Sequence, residues 1–245
     1  MDTPIYSLVD EVTRNTLVVA EDLSGFFIDS GDLSPEVTFL RVHEIGTGMR
    51  RVEDGILRVI NVRREKIGEY FVGRAVRGDI GEDLGEGIIS TVSYPTFGNR
   101  CEYSGAANIW RRWASCAALE KDEWLRWPMD QHDDWLHVVQ NSWFASSRRA
   151  GSYGTDHVAY LDGAKMPTKP GFYCALGEAV NGPGGYFGSN LDALADCLSS
   201  DLGDVRLVRV VWRNFRASQD HLGDGFVQAI INLLSNEFAV EVSIV

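Results

Sequence analysis

The chain has 245 residues, with 23 Lys and Arg against 35 Asp and Glu, a formal net charge of −12 and a pI near 4.8. That balance disfavours phosphate-dominated binding of nucleic acid, which needs a basic patch, while 44% hydrophobic and 24% charged residues make a globular composition. No apolar run of about 18 residues is present to span a membrane, and the opening MDTPIYSLVDEV lacks the basic-then-apolar order of a signal peptide, so a soluble cytoplasmic protein of one or two domains is expected.

Short β-branched and aromatic runs come first, at 16–20, 26–28, 37–42, 56–62, 70–76 and 88–92, each bounded by Gly, Asp or Ser. They predict an antiparallel sheet. From Ala106 to Trp127 the period changes. Trp110, Trp113, Ala117 and Trp124 fall near one helical face, which predicts an amphipathic helix stopped by Pro128. The run 146–155 (SSRRAGSYGT) is small, polar and glycine-bearing, the chemistry of a linker. It divides a β-rich α+β domain with a Trp-rich helix (1–145) from a second domain (156–245).

The second domain alternates strand and helix. Strands are expected at 158–161, 207–212 and 240–245, and helices at 172–180, 191–198 and 225–235, with a glycine-rich turn over 181–188. Strands separated by helices imply a small parallel sheet covered by helices.

Chemical signatures are sparse. The four cysteines (101, 116, 174 and 197) form no CxxC pair, so buried free thiols are expected in place of a zinc or redox site. Six of the seven Trp lie between Trp110 and Trp143, which favours packing over base stacking in so acidic a chain. His132 and His137 in QHDDWLH stand five apart, too far for one helical metal face, and read as part of a solvated, helix-starting acidic segment. There is no GxSxG, and the Gly182–Gly188 run lacks the Gly-Lys-Ser/Thr ending of a phosphate loop. No catalytic set, cofactor or metal is expected.

One interval stands apart. Between Lys169 and Arg206 there is no cation, yet it holds Glu178, Asp192, Asp196, Asp201 and Asp204. Within it, GSNLDALADCL reads as a helix capped by Asn190 or Ser189, with Leu191, Leu194, Ala195 and Leu198 on its apolar side. Asp192 and Asp196, four apart, share an exposed side at a cost of about 0.2–0.5 kcal/mol, part of which the positive helix end offsets. Such a face is either ordinary solvated surface or a negative surface for a basic partner.

The string from Tyr186 to Leu198, YFGSNLDALADCL, closely resembles the barstar family of intracellular ribonuclease inhibitors. Leu161-Asp162-Gly163 is similar to that family's opening strand and glycine, and Trp212-Arg213-Asn214-Phe215 to the exit of its second strand. The resemblance covers about residues 156–245. It implies an α/β fold with a three-stranded parallel sheet, and a protein that blocks a basic ribonuclease of the barnase type. Asp196 would occupy the nuclease's phosphate site and Asp192 would bond near its guanine-recognition loop. Tyr186 would pack on its catalytic histidine, while Gly188, Asn190 and Leu191 shape the contact. Neither direct nucleic-acid binding nor a membrane is implied. The chain departs from the family where Ala195 replaces a Trp before the second aspartate, where a later Trp falls near Asp201, and where Asn232 replaces a glutamate. The alternative is a two-domain adaptor that keeps the scaffold without inhibiting a nuclease.

Overall fold

In the computed structural model, which describes residues 3–29, 36–48, 50–96, 98, 100–200 and 206–245, the β-rich part forms one six-stranded antiparallel sheet. Its strands are β1 (Tyr6–Asp10), β2 (Thr16–Ser24), β3 (Glu36–Ile45), β4 (Arg51–Ile60), β5 (Lys66–Val76) and β6 (Ile89–Pro95). They lie in the order β5-β4-β1-β2-β3-β6. β1 was not among the expected runs. It sits mid-sheet with all five residues buried, Ser7 and Asp10 included, so it shows no alternation of polar and apolar residues. The run 26–28 is not a strand. Gly25 turns the chain at φ 74°, and Phe26 plugs the core edge-on to Tyr70 at 5.1 Å. The two edges of the sheet approach each other through an Ala75–Thr96 bridge and a 3.1 Å bond from the Gly98 N–H to the Val72 carbonyl. Part of each edge is thereby paired within the unit.

The helix expected over 106–127 breaks. α1 (Ala106–Ala114) ends before Cys116, which takes a left-handed φ of 57°, and Asp122 does the same at 61°. Two non-glycine residues in that region cannot continue a right-handed helix. Trp110 stays with the sheet, its Nε1 donating to the Tyr70 hydroxyl at 2.8 Å. Trp124 instead lies in a 3-10 turn, Glu123–Arg126.

The chain divides into two compact units, Met1–Ala117 and Ala118–Val245. The stretch 146–155, expected as the linker, therefore falls inside the second unit. The reason is aromatic packing. Trp124 is fully buried against Gly171, where an added Cβ would come within 2.9 Å of the indole, and lies edge-on to His132 at 5.1 Å. α2 (His132–Ala145) buries Trp135 and Trp143 and packs on the next helix, α3 (Lys169–Asn181). Each such ring contributes on the order of 2–3 kcal/mol by burial.

From residue 158 onward β7 (Val158–Asp162), α3, α4 (Leu191–Ser199), β8 (Arg209–Arg213), α5 (Phe215–Leu222), α6 (Asp224–Asn232) and β9 (Glu241–Ile244) follow in turn. The strands form a parallel sheet, β7-β8-β9. Ala159, Leu161, Val210 and Trp212 are buried on one face, where Phe172 of α3 stacks on Trp212 at 5.5 Å. Tyr160, Arg209 and Arg213 are exposed on the other face. Among the described residues, no helix is long and apolar enough to cross a membrane.

Candidate protein-recognition site

α4 begins where Asn190 leaves the extended region and its Oδ1 accepts the Ala193 N–H at 2.8 Å, so Asn190, not Ser189, is the N-cap. Leu194, Cys197 and Leu198 are buried beneath it, whereas Leu191 and Ala195 are half-buried. Asp192 and Asp196 are exposed one turn apart, and neither is paired with a cation among the described residues. Asp201 and Asp204 lie outside the described residues. Gly188 has a φ of 96°, and a Cβ there would stand 2.8 Å from the Leu194 Cα. Its bareness lets the loop close on the first turn of α4.

Tyr186 differs from expectation. It is only 2% exposed, with its ring under Phe144 at 5.3 Å and beside Trp143 at 6.5 Å, both from α2. Burial raises its hydroxyl pKa, a Ser189 hydrogen bond opposes this, and Cys197 and Asp196 add smaller upward pushes. Packing of this ring on a partner's histidine is not available while α2 lies over it. Gly188, Asn190, Leu191 and Asp192 lie at the start of α4, and Asp196 follows one turn further along it.

The loop ahead of α4 is held by residues that pattern reading passed over. The Asn181 side chain donates to the carbonyls of Gly151 (3.1 Å) and Tyr186 (2.7 Å), and accepts from the N–H groups of Tyr153 (2.7 Å) and Gly154 (3.3 Å). In the sequence, Asn before Gly-Pro-Gly-Gly signals only a helix end. Gly177 has the loop carbonyl of Gly185 where a Cβ would sit, 2.2 Å away. Glu178 is 8% exposed, and its Oε2 accepts the Asp122 N–H at 2.9 Å. Burial is the main reason its pKa is raised to about 7.

The QHDDWLH segment starts α2 but is not wholly solvated. His132 and Asp134 are buried, and the Thr168 hydroxyl stands 2.9 Å from His132 Nδ1. Burial lowers the pKa of His132 and takes that of His137 down to about 4. Among the described residues, no group of three or more His, Cys, Asp or Glu is placed to hold a metal ion. Cys101, Cys174 and Cys197 are buried and Cys116 is half-buried, all as free thiols. The first unit has a cavity of about 470 Å³ lined by Glu21, Asp22, Arg41 and Arg111, whose charges pair internally at 2.6 Å (Arg41–Glu21 and Arg111–Asp22).

A small parallel sheet covered by helices, with a capped helix carrying two exposed carboxylates and a hydrogen-bonded loop before it, defines a domain of the α/β class. Residues 156–240 match the family model for Barstar (barnase inhibitor), so the second unit carries a Barstar domain. No curated protein gives a match to the chain.

Proposed function

We propose that the second unit binds a microbial ribonuclease of the barnase type and blocks its active site with α4 and the loop before it. The observation that carries this reading is the pair Asp192 and Asp196, exposed on one face of a capped helix without a described cation partner, inside the Barstar match. A carboxylate in a nuclease's phosphate site engages several Arg and Lys donors at once, and the net charge of −12 speeds encounter with a basic enzyme. Asp196 takes the phosphate position and Asp192 the neighbouring basic loop, with Asn190, Leu191 and Gly188 setting the shape. Blocking a cleft in this way requires no cofactor and no chemistry by the inhibitor, and unpaired cysteines suit a cytoplasmic setting.

Ala195, half-buried between the two aspartates, and Asn232, exposed on α6, bring less contact area and less charge than the family pattern. The target nuclease is accordingly one whose cleft depends mainly on the Asp192–Asp196 face. Titration of guanyl-specific microbial ribonucleases with the full chain, read by RNA hydrolysis at low and moderate salt, tests the reading. Stoichiometric inhibition that weakens with salt is expected; uninhibited hydrolysis at both salt levels overturns it.

A further inference from the structure

A groove of about 460 Å³ opens beside Asp192, where the N-terminal ends of α3, α4 and α6 converge. Its lining is mainly apolar: Tyr173 is buried, and Pro170, Leu191 and Phe226 are half-buried around it. The Phe226 ring is held edge-on to Phe172 at 5.5 Å and to Tyr173 at 6.1 Å. Two opposite charges complete the groove. Asp192 and Lys169 both line it and are both exposed, yet neither makes an ion pair among the described residues. Lys169 is the first residue of α3, the helix end at which the macrodipole disfavours a cation, so helix stability does not account for it. Its Nζ stands 5.4 Å from the centre of the Phe226 ring, an attraction that keeps the charge at the groove.

We propose that this groove seats an apolar side chain of the ribonuclease, flanked by a basic residue that meets Asp192 and an acidic residue that meets Lys169. The inference rests on the function proposed above and extends the contact from α4 to α3 and α6. Asp192 belongs both to the acidic face of α4 and to the groove, so a partner that covers the one reaches the other. A carboxylate and an ammonium left unpaired beside one apolar floor fit a segment that carries the reverse pair. In the open, each such ion pair is weak and screened. An apolar side chain seated on Tyr173, Leu191 and Phe226 excludes water from both pairs, the setting in which interface energy concentrates. Lys169 then decides between partners, because a nuclease loop that is basic throughout meets a like charge there.

The test is titration calorimetry of the full chain with an inactive variant of a guanyl-specific ribonuclease that it inhibits. Wild type is compared with Asp192→Ala, Lys169→Glu, Phe226→Ala and Lys121→Glu, the last making the same charge change at an exposed position outside the groove. Thermal melts accompany each, because Phe226 also packs on Phe172. Lys169→Glu places an acid at the start of α3, which favours the helix, so lost binding there is not lost folding. Greater acidity by itself favours a basic partner, and Lys121→Glu is expected to bind as wild type or up to about threefold tighter. Lys169→Glu is expected to bind about tenfold more weakly despite the same charge change, and Phe226→Ala to lose a similar factor. The groove proposal is overturned, and the inhibitor reading left standing, by either of two results alongside a weakened Asp192→Ala. One is Lys169→Glu binding as tightly as Lys121→Glu; the other is wild-type affinity in a folded Phe226→Ala. Failure of the wild-type chain to bind any such ribonuclease overturns both.

Discussion

Asn181 Nδ2 donates to the Tyr186 carbonyl at 2.7 Å and also to that of Gly151, so one side chain ties the loop before α4 to the stretch 146–155. With its Oδ1 receiving the N–H groups of Tyr153 and Gly154, a single amide satisfies four backbone groups. Asn181→Ala strands them and is expected to lower stability by about 2–3 kcal/mol. Asn181→Asp keeps the acceptor and loses both donors, so it should retain part of that stability. Urea denaturation of the three proteins checks the order wild type, Asp, Ala.

Asp192 and Asp196 are exposed, so replacing either with Ala leaves the fold stable within about 0.5 kcal/mol. Partner binding is another matter. Asp196→Ala is expected to weaken nuclease inhibition by roughly 2–5 kcal/mol, far more than Asp204→Ala, and the remaining affinity should depend less on salt. Inhibition constants at two ionic strengths supply the measurement. Equal losses for positions 196 and 204 would remove α4 from the interface.

Glu178 makes stability depend on pH. Its carboxyl titrates near 7 in the fold, above its ordinary value of 4.5, because it is buried. The native state therefore keeps a proton that the unfolded chain has released. Its stabilisation is complete below about pH 4.5 and declines as pH rises to 7, by on the order of 2 kcal/mol after solvent screening. His137, held down near 4, acts in the opposite sense between pH 4 and 6.5, and the lowered His132 does likewise. Glu178→Gln isolates the carboxylate and can still accept the Asp122 N–H. Its melting temperature should gain on wild type between pH 5 and 8; parallel curves would refute the assignment.

A chain starting at residue 156 lacks Trp124, Trp135 and Trp143 and leaves Gly171 and Tyr186 uncovered. Residues 118–245 are expected to unfold in one cooperative transition, and residues 156–245 to be much less stable and to bind hydrophobic dyes. Denaturation of the two chains followed by tryptophan fluorescence decides the matter. Equal stability would return 146–155 to the role of a linker.

The parts of the second unit that could be read in the sequence are those in which local chemistry sets local structure. Asn190 stands where a cap is needed, the Leu and Asp residues of α4 alternate with helical period, and β7, β8 and the helices between them follow apolar runs bounded by glycine. β1 escaped because a strand in the middle of a sheet shows no alternation, and α5 because Asn214 starts it from a left-handed φ of 49°. The helix expected over 106–127 failed for a related reason. Its spacing of Trp residues suited a single amphipathic face, while the left-handed turns at Cys116 and Asp122 sent Trp110 and Trp124 into different cores.

By itself, the sequence determined the acidity, the capped helix and the likeness to a ribonuclease inhibitor, because charge, helical period and motif are properties of neighbours along the chain. Only the tertiary structure decided what covers what. It buried Tyr186 under α2, joined residues 118–155 to the second unit and made Asn181 the tie that holds the loop. Those outcomes depend on residues about 30 to 50 positions apart meeting in a packed core, where shape complementarity selects the partner. The −12 that first argued against nucleic acid is spread along the whole chain, and Asp192 and Asp196 set a small part of it on one exposed face of one helix.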